Sequence, residues 1–304
     1  MHFLEYLFIR LIAFLFRIMP LKLAEWAANL MAFFLEDIIR YRRTVIIKNL
    51  NLVYGAMWPK PAAQLLKEIY RNFVYLWFEV LQGARFDLPQ IRERMTLHDK
   101  YVMDEALAPG RGALLLTGHF GNFEWIGDLV AGMGYDIAAV AKRQKNRRID
   151  AYLRRLRQRY GTKIIYTGQA IKQGLGQLKN RGIVGLVADQ YAGEKGVEIP
   201  FVNLPSSVFA GPAIYHLRTG APMFYIICLR RAYARFDVHF IPVPSAEEFI
   251  VTDENIKKVT QTQSAVLEKW LLAYPEQWFW SHKRWKNLTD YRGPAHIPGG
   301  KTDK

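Results

Sequence analysis

Gly118-His119-Phe120-Gly121-Asn122-Phe123-Glu124 is the segment of this chain whose residue types and spacing could most readily do chemistry. It follows an apolar run, ALLLT over 113–117, that reads as a buried strand. In open α/β sheets ligands bind beyond the carboxyl ends of the strands. His119 therefore stands at a strand end, and Glu124 falls in the first turn of the helix that follows. Gly118 and Gly121 permit a tight turn with close backbone approach. Such a turn could bring the Glu124 carboxylate to one imidazole nitrogen and leave the other free. That arrangement fixes the tautomer and raises basicity, as a general base requires. A lone histidine beside an apolar strand is commonly a satisfied structural residue. The flanking glycines, the carboxylate and the strand-to-helix position favour the catalytic reading of His119 and Glu124. Asn122, inside the same turn, is expected to face substrate.

Other candidate residues lie further along. Residues 142–159 (KRQKNRRIDAYLRRLRQR) hold nine Lys/Arg against a single Asp. Arg143 closely follows a predicted strand and is placed to reach the site, while the helix over 147–159 could hold acidic groups of a partner. The alternative is a solvated helix face. Asp189 ends the run IVGLVAD and is followed by Gln190. A carboxylate there could hold an arginine or a sugar hydroxyl, or could simply cap the loop. The segment 277–284 mixes tryptophans with His282, Lys283 and Arg284, which suits a sugar, a membrane interface or core packing of the rings. No His/Cys/Asp cluster has metal-ligand spacing, and no GK[ST] or GxGxxG signature is present, so no metal or cofactor is expected.

The elements that must position these residues follow from the apolar pattern. Strands are expected at 113–117, 136–141, 163–166, 183–188, 221–229 and 236–241. Helices are expected at 60–83, 121–131, 149–160, 170–180, 208–219 and 254–273. Short apolar strands alternating with helices predict an α/β fold: a mostly parallel central sheet flanked by helices. Residues 39–290 form the main domain in this reading, and 291–304, ending in PGGKTDK, read as a flexible tail.

The N-terminal 38 residues read as an apolar helical hairpin for membrane association. Residues 3–19 carry Glu5, Arg10 and Arg17 among Leu, Ile and Phe, and Pro20 ends them. Arg10 and Arg17 are seven apart and share a helix face with Tyr6. A secretory signal would place its basic residues before the apolar core, and a spanning helix would resist central arginines. The pattern suits a helix lying in the interface. The other readings are a single span and a buried core helix. Residues 40–50 (RYRRTVIIKNL) then form a basic collar, which belongs on the cytoplasmic side of a membrane.

Composition agrees with this picture. The 304 residues include 42 Lys+Arg and 27 Asp+Glu, a formal charge of +15, yet 51% are hydrophobic. Such a chain is not intrinsically disordered, and with Cys228 as its single cysteine it is not a disulfide scaffold. A partner both acidic and greasy, an anionic membrane surface rather than nucleic acid, is implied.

The motif HFGNFE, with His119 and Glu124, closely resembles the signature of bacterial lipid A late acyltransferases, the lauroyl/myristoyl acyltransferases of lipopolysaccharide biosynthesis. Further matches are Arg42-Arg43-x-Val45-x3-Asn49-Leu50, Asp189-Gln190, Val197 to Phe201, Gly211-Pro212-Ala213, Arg218-Thr219-Gly220-Ala221-Pro222 and the closing Pro275-Glu276-Gln277-Trp278-Phe279-Trp280-Ser281-His282-Lys283-Arg284-Trp285-Lys286. The likeness spans nearly the whole chain. It implies an O-acyltransferase at the cytoplasmic face of the bacterial inner membrane. The acyl donor would be acyl carrier protein, and the acceptor a hydroxyl of a lipid A precursor, a phosphorylated glucosamine lipid. It places His119 and Glu124 as the catalytic pair, with Asn122, Arg143, Asp189, Gln190, His282 and Arg284 around the substrates. The absence of a GxSxG elbow and the apolar surroundings of Cys228 agree with direct attack by the acceptor hydroxyl. Backbone N–H groups after Gly121, or Arg143, would stabilise the oxyanion. The alternatives are another lyso-lipid or glycolipid acceptor on the same fold, and a non-enzymatic basic membrane-binding module.

Overall fold

A computed structural model describes residues 2–298 and the backbone of 302–303. The helices are α1 His2–Ile18, α2 Leu21–Phe33, α3 Arg43–Tyr54, α4 Ala62–Gly83, α5 Leu88–Arg92, α6 Tyr101–Leu107, α7 Glu124–Gly132, α8 Arg147–Gln158, α9 Ala170–Lys179, α10 Gly211–Thr219 and α11 Asp253–Ala273. A π-helical turn, Phe34–Ile38, extends α2. The strands are β1 Met95–His98, β2 Ala113–Thr117, β3 Ile137–Ala141, β4 Lys163–Tyr166, β5 Ile183–Val187, β6 Val197–Phe201, β7 Leu204–Val208, β8 Met223–Ala232, β9 Arg235–Pro242, β10 Ala295–His296 and β11 Thr302–Asp303.

Seven strands form the central sheet in the order β1-β9-β8-β2-β5-β3-β4. Only the β8–β9 hairpin pairs antiparallel in it; the remaining pairings are parallel. The α/β architecture with a mostly parallel sheet flanked by helices is thus present. Strand β2 is buried along its whole length, as a continuous apolar run predicts for a strand covered on both faces. Its partners β5 and β8 carry IVGLV and MFYIICL through the same core. The chain leaves β2 toward β3 and β4, returns to insert β5 beside β2, and then crosses to β8. The carboxyl ends of β2 and β5 are therefore neighbours at a topological switch, where a ligand crevice forms.

Several short elements escape the periodicity. β1 is only four residues long. The collar 40–50 contributes to α3, which buries Val45, Ile46, Ile47, Asn49 and Leu50. Two of the collar's cations, Arg42 and Lys48, donate to the carbonyls of Ser281 at 2.9 Å and Asp290 at 2.6 Å. The β6–β7 hairpin turns through Val202 and Asn203, both at positive φ, as a two-residue hairpin loop requires.

α1 and α2 do not pair as a closed hairpin; each packs on α4. Ala24, Ala28 and Ala32 of α2 are buried in the same core as α4. The polar stripe of α1 faces α8: Arg10 hydrogen-bonds Tyr6 and lies 5.3 Å over Tyr152, Arg148 lies 4.9 Å over Phe3, and Asn146 donates to Glu5. The opposite face leaves Leu4, Phe8, Leu11, Phe14 and Ile18 exposed, continued by Trp26 and Phe33 of α2. Among the described residues no helix is long and apolar enough to cross a membrane.

The predicted tail lies partly outside the described residues, at 299–301 and 304. Its described part is docked rather than loose. The Tyr291 hydroxyl donates to Asn49 Oδ1 at 2.5 Å, Asn51 donates to the His296 carbonyl, and Ala295 is buried.

Candidate active site

The parallel pairing of β2 with β5 sets Thr117 against Val187. Continuing that register by two residues brings His119 beside Asp189. The ladder does continue, since Ala188 N–H donates to the Thr117 carbonyl. Asp189 Oδ1 then lies 2.6 Å from His119 Nδ1, and its Oδ2 accepts from the His119 backbone N–H at 2.7 Å and from Trp278 Nε1 at 2.8 Å. Burial alone would push the Asp189 carboxyl up. The His119 imidazolium and these hydrogen bonds outweigh it and hold the group at about 2. A carboxylate at Nδ1 fixes that nitrogen as the N–H donor and leaves the Nε2 lone pair outward. Gln190 Nε2 approaches that lone pair at 3.1 Å.

Glu124 does not complete the pair with His119, which corrects the sequence-based assignment. α7 begins at Glu124, and its carboxylate turns toward α8, where Arg157 clasps it with Nε and Nη2 at 2.9 and 2.6 Å. One turn further on, Asp128 Oδ2 accepts a single hydrogen bond from Arg159 Nη2. Five positions along a turn gave proximity in sequence; the sheet register gave the partner.

Asn122 is also corrected from substrate contact to support. It is fully buried, donates to Glu79 Oε2 at 2.9 Å, and its Oδ1 accepts from the Trp125 N–H at the head of α7. Glu79, on α4, is the residue that sequence reasoning missed. It is fully buried, takes two hydrogen bonds from Arg230 at 3.0 and 2.7 Å, and accepts the Ala234 N–H at 3.0 Å. A lone Glu in the apolar stretch YLWFEVLQG was its only signal. Buried charges persist when paired and fully hydrogen-bonded, and this cluster underlies the His119 turn.

The turn is held from the other side by the segment 275–281. Gly121 N–H donates to the Gln277 carbonyl and Phe279 N–H to the His119 carbonyl, both at 3.0 Å. The Gln277 side chain bridges to both backbone groups of Arg230. Gly121 has φ +53°, and a Cβ there would meet the Cys228 carbonyl oxygen at 1.8 Å, so only glycine fits. At Gly118 a Cβ would press within 2.7 Å of Leu267 and 3.1 Å of Asp189 Oδ2. Four amides of the turn have protein acceptors: His119, Phe120, Gly121 and Asn122. Of the amides after Gly121 that the sequence suggested as oxyanion donors, Asn122 N–H is thus already engaged, by the Cys228 carbonyl.

Arg143 is not brought to His119. It lies 4.3 Å over the Tyr166 ring of β4, the edge strand furthest from β1. His282 and Arg284 are nearer. Burial, partly opposed by Asp189 and reinforced by His119, Arg284 and Lys286, lowers the His282 imidazole to about 4. Arg284 is buried, donates to the Ser207 carbonyl at 2.7 Å and lies 5.3 Å over Phe201. Burial pulls its guanidinium down to about 10, so it stays charged at neutral pH. Cys228 is buried, and desolvation raises its thiol far above the range of a reactive thiolate.

A narrow, apolar-lined cleft, partly open to solvent, reaches His119 between α4 and the segment 277–281. Its wall is an aromatic series. Tyr41 stacks on Phe73 at 5.7 Å, Phe73 meets Phe279 at 5.6 Å, and Phe279 meets His119 at 5.8 Å. The series runs from the segment after α2 to the imidazole. The arrangement can abstract a proton at Nε2 and stabilise the resulting imidazolium through Asp189, beside an apolar wall.

Residues 2–287 match a family model described as "Bacterial lipid A biosynthesis acyltransferase". The chain is 23% identical over 252 residues to the "Lipid A biosynthesis palmitoleoyltransferase" of Escherichia coli (strain K12), covering 82% of this chain and 80% of that one. It is 25% identical over 253 residues to the "Phosphatidylinositol mannoside acyltransferase" of Mycobacterium tuberculosis (strain ATCC 25618 / H37Rv), covering 78% and 75%.

Proposed function

The chain belongs to the family of bacterial lipid A biosynthesis acyltransferases, and from that premise we propose that it moves a fatty acyl chain from acyl carrier protein to a hydroxyl of a lipid A precursor, with His119 as general base. Membership makes it an acyl-transferring enzyme; the donor, the acceptor and the residue roles are our reading. The observation that carries the reading is the His119–Asp189 contact of 2.6 Å at the end of an apolar cleft.

In this mechanism the acceptor hydroxyl displaces the Gln190 amide from His119 Nε2 and gives up its proton there. The alkoxide oxygen attacks the thioester carbonyl. Asp189 stabilises the imidazolium, as a buried carboxylate does for other catalytic histidines. The C–S bond then breaks, and the imidazolium returns its proton to the departing thiolate. In this mechanism the amides of Phe123 and Glu124, at the positive end of α7, donate to the oxyanion.

The exposed apolar face of α1 and α2 supports attachment to the cytoplasmic leaflet of the inner membrane. A patch this large on one side of a soluble fold marks an interaction surface. The polar face of α1 is already satisfied by α8, so the apolar face is the one left for lipid. The free cations of α8 suit acidic carrier protein or lipid phosphates. Phe8→Glu with Phe14→Glu is expected to abolish flotation with anionic vesicles while leaving Tm within a few degrees; unchanged flotation would refute the attachment.

A glycolipid acceptor is the second reading, favoured by the mycobacterial relative, whose identity to this chain matches that of the lipid A enzyme. Purified protein offered acyl carrier protein thioesters with either a lipid A precursor or a phosphatidylinositol mannoside separates the two by mass spectrometry. Acylation of the lipid A precursor, lost in His119→Ala, is the expected result. Acylation of the mannoside alone selects the second reading, and no transfer to either refutes both.

A further inference from the structure

We propose that His98, Asp237 and His239 form a binding site for a divalent transition-metal ion, of which Zn²⁺ fits best. The three residues meet on the edge of the central sheet, two and three strands from β2. β9 alternates cleanly: Phe236, Val238 and Phe240 are buried, whereas Asp237, His239 and Ile241 on the other face are half-exposed. Asp237 and His239 therefore project from the same face, two residues apart. The parallel pairing of β1 with β9 sets His98 directly opposite His239. The two imidazoles stack with centroids 4.4 Å apart and planes within 9°.

Each of the three residues offers one ligand atom, and these atoms lie within 4.8 Å of one another. His98 Nε2 is 3.6 Å from Asp237 Oδ1. Ligands of a tetrahedral zinc at bond lengths of about 2.0–2.1 Å stand about 3.3 Å apart. The His98–Asp237 spacing is close to that already, and ligation by both histidines requires the two rings to turn out of their stack so that their in-plane lone pairs converge. The Nε2 atoms of both histidines are buried and lack a hydrogen-bond partner in the protein. Two shielded ring nitrogens without a hydrogen-bond partner, one of them 3.6 Å from a carboxylate oxygen, are polar atoms that one cation would satisfy.

The surroundings are those of an ordered site. Arg231 Nε donates to Asp237 Oδ2 at 2.6 Å, which holds the carboxylate and leaves Oδ1 toward the histidines. The Trp270 ring of α11 backs His239 at 4.6 Å. Such supporting contacts orient metal ligands. The guanidinium weakens the pull on any cation, so the site favours an ion that prefers imidazole over carboxylate. Two imidazoles and a carboxylate suit Zn²⁺ rather than Mg²⁺ or Ca²⁺. The site's effect is to pin the edge strand β1 onto β9; it takes no part in acyl transfer.

Full-length protein without a polyhistidine tag, stripped with chelator and dialysed against Zn²⁺, provides the test by elemental mass spectrometry. The expected result is one equivalent of Zn²⁺, retained in His119→Ala and lost in His98→Gln with His239→Gln. Saturating Zn²⁺ should also raise Tm in wild type and leave that double variant unmoved, since a ligand bound only to the folded state stabilises it. A readout without substitution is the rate of diethylpyrocarbonate modification, followed by peptide mass spectrometry. Zn²⁺ should slow it at least tenfold at His98 and His239. Equal Zn²⁺ in wild type and the double variant, loss of the equivalent in His119→Ala, or unprotected His98 and His239 would each overturn the proposal.

Discussion

Two carboxylates flank the His119 turn, and they behave differently. Asp189, at the end of β5, is buried and accepts hydrogen bonds from His119 Nδ1, the His119 amide and the Trp278 indole. Glu124, at the head of α7, turns from the imidazole and is clasped by Arg157. One carboxylate orients the imidazole; the other ties two helices together behind it. The difference teaches that a short sequence spacing names the residues near a site, while strand register decides which of them touch. Removing each group in turn separates the two regions.

His119→Ala removes the base itself and is expected to lower kcat by about 10⁴-fold, with folding preserved. Asp189→Asn keeps the shape but allows the wrong tautomer and leaves the imidazolium uncompensated; the expected loss is about 10²–10³-fold, with a displaced pH–rate profile. Glu124→Gln should retain the wild-type shape of that profile. Its effect is chiefly on stability, about 1–3 kcal/mol in denaturant melts, because Arg157 loses its partner in a partly buried position. If Glu124→Gln shifted the pH profile and Asp189→Asn did not, the roles assigned above would be reversed.

His282 sharpens the comparison on the Asp189 side. Its imidazole titrates near 4 in the folded protein, because of burial, against an ordinary value of 6.5. The unfolded chain therefore binds the extra proton first as pH falls. The stability tied to neutral His282 is fully present above about 6.5 and is lost as pH drops toward 4. His282→Gln should flatten the decline in stability between pH 6.5 and 4, as read by urea melts. The smallest expected effect is that of Gln190→Ala, about tenfold or less in kcat, since its amide is displaced when the acceptor binds.

Much of the positioning framework was legible in the sequence. β2, β3, β4 and β5 are continuous apolar runs bounded by turn residues, and their predicted limits agree with the structure within a residue. The turn after β2 announced itself through Gly118, His119 and Gly121. What the sequence could not give was lateral order. Asp189 is 70 residues from His119, and only insertion of β5 beside β2 makes them neighbours. Glu79 and Arg230 are further apart still, and their ion pair depends on α4 crossing behind β8. The basic collar was legible as a charge run and not as a packing element: Arg42 and Lys48 reach carbonyls of the closing segment, and α3 buries its apolar face in the core. Short elements were lost too. β1 has too few residues to show a period, yet it carries His98 to His239.

The central claim is that His119 acts with Asp189 as its partner. The most direct test is the pH dependence of acyl transfer from acyl carrier protein to a lipid A precursor by wild type, Asp189→Asn and Glu124→Gln, prepared alike and checked for equal folded fractions. The account predicts that Asp189→Asn loses about 10²–10³-fold and shifts its profile, while Glu124→Gln loses less and keeps the wild-type profile. Near-wild-type turnover by Asp189→Asn would contradict it.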